Sequence, residues 1–422
     1  MKQQHSYKKV FGLIGWLLLG ALSSGKAQTV LQQHLQTLLQ NHQSIKVIEN
    51  QQLAAQQQVG RVGYLPDPEV GLGIFALPIE TRLGAQRFRF SVSQALPWRG
   101  TLRQQKVIAQ KQARVIATRL PVLQSQLVWQ FKKAYYPVYM LKQDSLLYAK
   151  YLEILSVYQK LTRQKYETGK ASMVDVIRVR TETRQINTQL QLLSLQRQKF
   201  TEILKGLLFQ QNDKTIPIDD SLSSPQPPLI NTPGVFADSA SGGNPQFSVW
   251  ESQAQWLESK HRLTQLKNKP AFKVGLDYIN VSARTEVDIP QNGRDALMAR
   301  IGLKIPLNQK SYKAERQQIR IQQEELKLKA SVLKNNLRSR FQQLRKGYAL
   351  TLTQLKLYKE QIVDLQEAIR IQTTTFASSG KGFEEILRFQ QQILKYELAK
   401  NKMLLEQFMI KAEMEMLLGK TQ

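Results

Sequence analysis

This sequence of 422 residues holds few of the side chains from which catalytic or metal centres are built. Cysteine is absent, which excludes a disulfide framework, a thiolate nucleophile and thiolate zinc ligands. The histidines beyond the N-terminal leader are His34, His42 and His261, and no two of them have a metal-ligand spacing such as i, i+4. Gly71–Gly73 lacks the remainder of a phosphate-binding loop. We therefore predict a protein that is not an enzyme and has no catalytic residue, metal or cofactor.

One arrangement of charged residues recurs along the chain. Asp175 and Arg178 are repeated 210 residues later as Glu385 and Arg388. Residues i and i+3 share a helix face, so each acid can pair with its own arginine. On a solvated surface such a pair stabilises a helix by roughly a few tenths of a kcal/mol.

The chain is strongly basic, with 60 Lys and Arg against 32 Asp and Glu and a formal net charge of +28. In nucleic-acid-binding domains such charge is gathered in one patch or stripe. Here the basic residues are spread along the chain, which favours the basic surface of long solvated helices. We predict no nucleic-acid partner.

The N-terminus predicts export. Three lysines precede the 13-residue apolar run 10–22, and small residues follow at Gly25 and Ala27. This pattern is typical of a signal peptide, here residues 1–27, cleaved after about Ala27. The apolar run is too short for a membrane-spanning helix, which needs about 20 residues.

The secondary-structure elements that position these side chains occur twice along the sequence. Val70-Gly71-Leu72 recurs as Val274-Gly275-Leu276, a shift of 204 residues, and further along the shift settles at 210. Apolar positions then keep that shift, as in Phe131 and Phe341 or Tyr148 and Tyr358. Each copy reads helix, strand, strand, long helix and returning helix, which indicates a duplicated unit.

The repeat and the hydrophobic periodicity predict how the chain is divided into segments. The first repeat covers 28–209 and the second 244–418, with a loop-rich linker at 210–243 and a tail at 419–422. Helices are predicted at 41–63, 100–165, 173–209, 244–267, 309–375 and 383–418, and strands at 69–79, 87–97, 272–281 and 296–307. Pro121 and Pro137 predict bends in the first long helix. A 4-3 spaced apolar series from Leu344 to Ile369 predicts a coiled-coil seam.

The strands alternate apolar residues with charged or small ones. Phe88, Phe90 and Val92, for example, alternate with Arg87, Arg89 and Ser91. A half-buried strand of a soluble sheet has the same pattern, but the signal peptide and the charges on the inner face favour strands that span a membrane. Four strands cannot close a barrel, and strands in lipid must close. Several chains must therefore share one barrel: two chains would give eight strands and three would give twelve.

Two local motifs carry a family resemblance. One is the strand-to-helix corner 94–100 (QALPWRG), and the other is the helix-to-helix turn 166–176 (YETGKASMVDV). With the signal peptide and the duplicated order of elements, they resemble the TolC-type outer-membrane efflux channels, the outer membrane factors, over nearly the whole mature chain. The second copy of the turn, 376–387 (FASSGKGFEEIL), departs from the family pattern because its glycine is displaced by one and Glu replaces Asp.

The resemblance implies a mainly α fold with a small β part. In it, each chain contributes four strands to a trimeric twelve-stranded barrel in the outer membrane, and the long antiparallel helices form a periplasmic α-barrel. The family function is an exit duct of a tripartite efflux or type I secretion system. It passively conducts substrates that reach it from an inner-membrane pump through a periplasmic adaptor.

The resemblance also implies roles for particular residues. The two turns would be the tips that dock the adaptor, at Tyr166, Gly169, Lys170, Ser172, Phe376, Gly380 and Lys381. Asp175, Arg178, Glu385 and Arg388 would form a periplasmic gate closed by ion pairs of mixed charge. The alternative is an exported structural or adhesive coiled-coil protein without a pore. The seam and the signal peptide fit that alternative equally well, but the alternating strand pairs in both halves do not.

Overall fold

A computed structural model of the protein describes residues 29–210, 215–223, 225–226, 243–286, 288–379 and 382–421. The predicted signal peptide and linker residues 227–242 lie outside the described residues. Eight helices are described: α1 Val30–Asn41, α2 Gln43–Arg61, α3 Thr101–Ala117, α4 Arg119–Glu167, α5 Met173–Leu208, α6 Pro245–Lys267, α7 Gln309–Ser379 and α8 Phe383–Leu417. The described strands are β1 Glu69–Thr81, β2 Gly84–Leu96, β3 Ala271–Ser282 and β4 Ala296–Lys304.

This order of elements confirms the predicted duplicated unit. Each copy runs through a helix, two strands, a long helix and a returning helix. The sequence did not predict α1, which precedes the first copy's opening helix. Within the part of the chain that the structure describes, each helix falls short of the length or the apolar character that crossing a membrane requires.

The first long helix is divided into α3 and α4 at Thr118. Pro121 has no N–H to bond to the carbonyl of Ala117, so the i→i−4 ladder is interrupted at that turn. α3 therefore ends four residues before the proline. Pro137 lies inside α4, which continues through it without a break.

The four strands form one antiparallel sheet in the order β1-β2-β3-β4. Leu72 pairs with Phe90, Phe90 with Tyr278, and Tyr278 with Leu297 across the sheet. Because side chains alternate between faces along a strand, these four residues lie on the same face. The strands β1 and β4 are the edges of the sheet.

The described chain divides into two compact units, and each unit draws residues from both sequence repeats. Among the described residues, one unit takes those within 29–43, 124–226 and 341–421, and the other takes those within 44–123 and 243–340. In the first unit the predicted seam is the buried face of α7, with Leu344, Thr351, Leu355 and Ile362 buried. In the second unit, which contains the sheet, a small core forms where Leu257 of α6 meets Ile319 and Leu326 of α7.

A carboxylate of the linker accepts hydrogen bonds from the first N–H groups of helix α1. Asp219 accepts hydrogen bonds from the N–H groups of Val30 and Leu31 through its two carboxylate oxygens, both at 3.1 Å. Tyr135 of α4 donates its hydroxyl to Asp219 Oδ2 at 2.7 Å and accepts the Asp219 N–H at 2.9 Å. An acidic group at a helix N-terminus satisfies unpaired N–H groups and opposes the helix dipole. This part of the linker, 215–223, is thus joined to two helices of its unit.

Candidate functional site

The two central strands of the sheet expose their apolar side chains and bury polar ones. Phe90 on β2 and Leu276 on β3 are 43% and 48% exposed. On the opposite face of the same strands, Ser93 and Asp277 are only 6% and 0% exposed. A sheet of a water-soluble protein buries its apolar face and exposes its polar one. In these two strands the polar positions Ser93 and Asp277 are buried and the apolar side chains are exposed, which is the reverse.

The edge strands continue the apolar face. Leu72 and Ile74 on β1 are 67% and 77% exposed, and Ile301 and Leu303 on β4 are 80% and 53% exposed. The sheet therefore carries one continuous apolar surface, defined by outward positions of all four strands. Contiguous apolar surface of this kind marks contact with lipid or with another protein.

The opposite face is charged and internally paired. Asp277 lies between two arginines, with its Oδ2 at 2.6 Å from Arg89 Nη2 and its Oδ1 at 3.4 Å from Arg300 Nη2. Lys273 pairs with Glu69 of β1 on the same face. The sequence predicted charges on this face, but it did not show that one of the acids is completely buried.

The first helix-to-helix turn is shaped by Gly169, which has a φ of +71°. The N–H of Gly169 bonds to the carbonyl of Tyr166 at 3.0 Å, and the N–H of Lys170 bonds to that of Lys165 at 2.8 Å. These two bonds form a Schellman motif, in which glycine at the left-handed position ends the helix. A Cβ at Gly169 would meet no atom within 4 Å. Tyr166, Gly169, Lys170 and Ser172 are all exposed.

Helix α5 begins immediately after this turn with a capping box. Ser172 accepts a hydrogen bond from the N–H of Val174 at 3.1 Å, and Asp175 accepts one from the N–H of Ser172 at 3.3 Å. This arrangement satisfies N–H groups that the first turn of a helix leaves unpaired. Asp175, which the sequence placed in the gate, therefore also caps its own helix.

The second turn contains a buried aromatic ring. Phe376 is 2% exposed and packs on Phe383, with ring centroids 5.4 Å apart. Lys165 lies over the Phe376 ring at 4.1 Å and donates a hydrogen bond to the Phe376 carbonyl at 2.7 Å. Gly380 and Lys381 lie outside the described residues. The ring of Phe376 is thus a core group here, and any part in docking would be to hold the turn.

A glycine that the sequence analysis did not select begins α8. Gly382 has a φ of +90° and is the N-cap residue of the helix. A Cβ there would lie 2.0 Å from Nε2 of Gln372, which donates a hydrogen bond to the Gly382 carbonyl. The positive φ favours glycine at this position, whereas the contact is with the end of a flexible side chain, which can move aside. Gly382 stands 210 residues after Ser172, the N-cap of α5, and this correspondence was the available signal.

The gate residues are close to their predicted partners, and one of them has an additional partner. Arg388 pairs with Glu385 on α8, as the i, i+3 spacing predicts. Arg178 contacts Asp175 at 3.4 Å, but its nearer partner is Glu384 at 2.9 Å. Glu384 belongs to the other repeat, so the two returning helices are joined by an ion pair. The role of these residues as a gate stays a prediction.

Next to these pairs lies an open groove of about 480 Å³ between α5 and α8. Glu182 is buried beside it, at 8% exposure, and accepts hydrogen bonds from Tyr151 at 3.3 Å and from Gln391 at 2.7 Å. Burial raises the pKa of Tyr151, and the neighbouring Glu182 raises it further. No residue spacing within α5 marks Glu182 as buried, and the sequence therefore did not single it out. Among the described residues, no three His, Asp or Glu are arranged to hold a metal ion.

No protein-family model and no curated protein sequence matches the chain. Three solved structures of similar fold are the outer-membrane channel OprN, the outer membrane protein VceC from Vibrio cholerae and the CusC transmembrane channel.

These likenesses extend over nearly the full length of the chains. OprN is 14% identical with a TM-score of 0.72, over 92% of this chain and 90% of its own. VceC is 12% identical with a TM-score of 0.71, over 93% and 97%. CusC is 12% identical with a TM-score of 0.72, over 95% and 96%. At such identities the likeness concerns the fold, and it confirms what the motifs predicted: the chain has the fold of the TolC-type outer-membrane efflux channels.

Proposed function

We propose that the protein is an outer-membrane channel that extends into the periplasm and serves as the exit duct of an efflux or type I secretion system. It passively conducts solutes delivered by an inner-membrane pump and a periplasmic adaptor. One observation carries the proposal: the sheet exposes one continuous apolar face, and its opposite face carries paired charged groups. That arrangement is unfavourable in water and favourable where one face meets lipid and the other lines an aqueous lumen.

The edges of the sheet support assembly as a homotrimer. β1 and β4 each have one side that bonds to no other strand of the described chain. In lipid these backbone groups must be paired, because no water is present to satisfy them. Since β1 and β4 run antiparallel, β4 of one copy can pair with β1 of the next. Two copies would give eight strands with a filled interior, whereas three give twelve and leave a lumen.

The turns support adaptor docking at the periplasmic end. Tyr166, Lys170 and Ser172 are exposed around Gly169, whose backbone fixes a tight reversal between α4 and α5. A rigid, exposed turn with a polar and aromatic surface is suited to binding a partner protein. The ion pairs of Arg178 and Arg388 lie just beyond this turn, where a gate would act.

The test places the same charge on either face of one strand. Ile301 points to the apolar face of β4, and Met298 points to the polar face; both are exposed, at 80% and 42%. A lysine on the lipid face near the bilayer midplane costs about 2–4 kcal/mol, whereas a lysine in the lumen does not. Ile301→Lys is therefore expected to reduce insertion into outer membranes, and Met298→Lys is expected to insert normally and conduct.

The measurements are outer-membrane fractionation after a high-salt wash, cross-linking in detergent, and conductance in planar bilayers. The wild-type chain should remain with the membranes, cross-link to no more than three chains and form channels. A coiled-coil protein without a pore would tolerate both lysines alike and would leave the membranes in high salt. Equal behaviour of the two variants, or a stable monomer with full β-sheet signal, would refute the proposal.

A further inference from the structure

The polar face of the sheet carries more positive than negative charge. The side chains that share this face include Arg89, Lys273, Arg300 and Lys304, against the acids Glu69 and Asp277. Four basic and two acidic groups leave a net charge of +2 in each chain. We call the four basic residues the cationic lining. Arg87 lies at the register shift between Gln86 and Phe88 and does not belong to this row.

The excess charge has two sources. Lys273 is neutralised by Glu69. Asp277 is shared by Arg89 and Arg300, so this group of three keeps a charge of +1. Lys304 supplies the second positive charge. The distribution is thus one neutral pair, one cationic triad and one further lysine.

The triad holds its arginines so that they are fixed and still accessible. The carboxylate of Asp277 is completely buried, at 0% side-chain exposure, while Arg89 and Arg300 are 34% and 46% exposed. A guanidinium has five N–H donors, and one contact with a carboxylate leaves others available. The buried acid therefore anchors both cations at the surface of the polar face without cancelling them.

Glycines give these side chains room. A Cβ at Gly275 would lie 3.2 Å from the carbonyl oxygen of Val92 and 3.5 Å from Nε of Arg300. A Cβ at Gly302 would lie 3.6 Å from Cβ of Lys273. Without side chains at these two positions, the long cationic groups can lie along the sheet.

We propose that the cationic lining makes the membrane segment of the duct favour anionic over cationic solutes. The proposal rests on the function proposed above, because the polar face lines a lumen only if the apolar face meets lipid. A low-dielectric wall focuses the field of fixed charges into an aqueous passage, which raises the local concentration of the opposite ion. Small anions and anionic organic molecules are then the class that this segment passes most readily, with inorganic chloride as the simplest member.

The experiment compares variants of the full chain in planar bilayers under a KCl gradient, with K⁺ and Cl⁻ as the probes. Arg300→Gln removes one charge and leaves the 2.6 Å contact of Arg89 with Asp277 intact. We expect the Cl⁻/K⁺ permeability ratio to fall towards 1, since half of the net charge is lost. Arg300→Lys keeps the charge and serves as the matched control, with the ratio expected to stay near the wild-type value.

Two further variants extend the test, and the first of them leaves the triad intact. Lys304→Gln removes the same charge without touching Asp277, and it should lower the ratio as Arg300→Gln does. Asp277→Asn removes the buried negative charge, and it should shift the ratio in the opposite direction. Since all variants share the rest of the duct, contributions from other segments cancel in the comparison.

The outcomes separate the two proposals. Channels that form but have the same permeability ratio in wild type, Arg300→Gln and Lys304→Gln would overturn the inference and leave the channel function standing. An equal shift in Arg300→Lys and Arg300→Gln would also overturn it. If the wild-type chain forms no channel, the proposed function fails and this inference fails with it.

Discussion

A buried ion pair between α4 and α8 offers a quantitative test of how the helical unit is held together. Lys132 on α4 and Glu415 on α8 are joined at 2.7 Å, and their side chains are only 5% and 12% exposed. The perturbation is Lys132→Met, which keeps the length and apolar stem of the side chain and removes its charge. Glu415 is then left as a nearly buried carboxylate without this partner.

The magnitude follows from the geometry. At 2.7 Å and an effective dielectric constant of about 20, the attraction between the two charges is roughly 6 kcal/mol before the cost of desolvating them. Removing one partner of a buried pair typically costs about 3–5 kcal/mol, because the other charge stays buried. Glu415 also lies near Tyr136, whose pKa is raised first by burial and then by this carboxylate. We therefore expect the free energy of unfolding to fall by about 3–5 kcal/mol.

The assay is thermal and chemical unfolding of the purified protein in detergent, followed by circular dichroism. For a chain of this length the shift is about 1 °C per kcal/mol, so Lys132→Met should lower Tm by roughly 4–5 °C. The matched control is Lys356→Met, because Lys356 and Glu360 are 3.9 Å apart and 80% and 61% exposed. This pair is screened by water, so we expect no measurable change in Tm.

A double variant decides whether the pair itself is responsible. In Lys132→Met/Glu415→Gln no unpaired carboxylate remains, so the double variant should be more stable than the sum of the two single losses predicts. Strictly additive losses would refute the reasoning. So would a Tm of Lys132→Met within about 1 °C of the wild-type value, given the roughly 4–5 °C expected from the burial of the pair.

Three further predictions concern the same unit. Burial raises the pKa of Asp144, so the protonated carboxyl favours the folded state at low pH and this stability is lost as pH rises. Asp144→Asn, which cannot ionise, should raise Tm at about pH 7 and leave it unchanged near pH 3. Burial also raises the pKa of Tyr151, so stability should be constant up to about pH 10 and fall at higher pH, and Tyr151→Phe should lessen the fall in an alkaline unfolding series. Gly169→Leu imposes about 1–2 kcal/mol of backbone strain at φ +71° and no clash, so the chain should still insert while transport is lost. Gly169→Asn, which tolerates this φ, is the control, and transport by Gly169→Leu at the wild-type rate would show that this turn does not dock the adaptor.

The sheet was largely predictable because the side-chain period of a strand is fixed. The alternation around Phe90 and Leu276 predicted which residues share the apolar face, and the structure confirms that assignment. The triad around Asp277 was not predictable. It depends on the register that β3 makes with both β2 and β4, and no period within one strand encodes the register between strands.

The contacts near the helix turns likewise divide into those that spacing along one helix predicts and those that it does not. The i, i+3 rule predicted the contact of Arg388 with Glu385, since both residues lie on one helix. The contact of Arg178 with Glu384 joins residues of different repeats, and rules for neighbours on one helix do not reach it. Glu182 was missed for the same reason, because its hydrogen-bond donors are Tyr151 on α4 and Gln391 on α8.

The carboxylate of Asp219 makes the start of the described chain depend on a residue beyond the first repeat. α1 is the first described helix to be made, yet the oxygens that accept its leading N–H groups belong to a residue 189 and 188 positions later. A helix of 12 residues is marginal in water by itself. The N–H groups of Val30 and Leu31 therefore gain their acceptor only when residue 219 is in place. A chain truncated before residue 219 would hold α4 and α5, but α1 would keep only the cap that Thr29 gives to the N–H of Gln32.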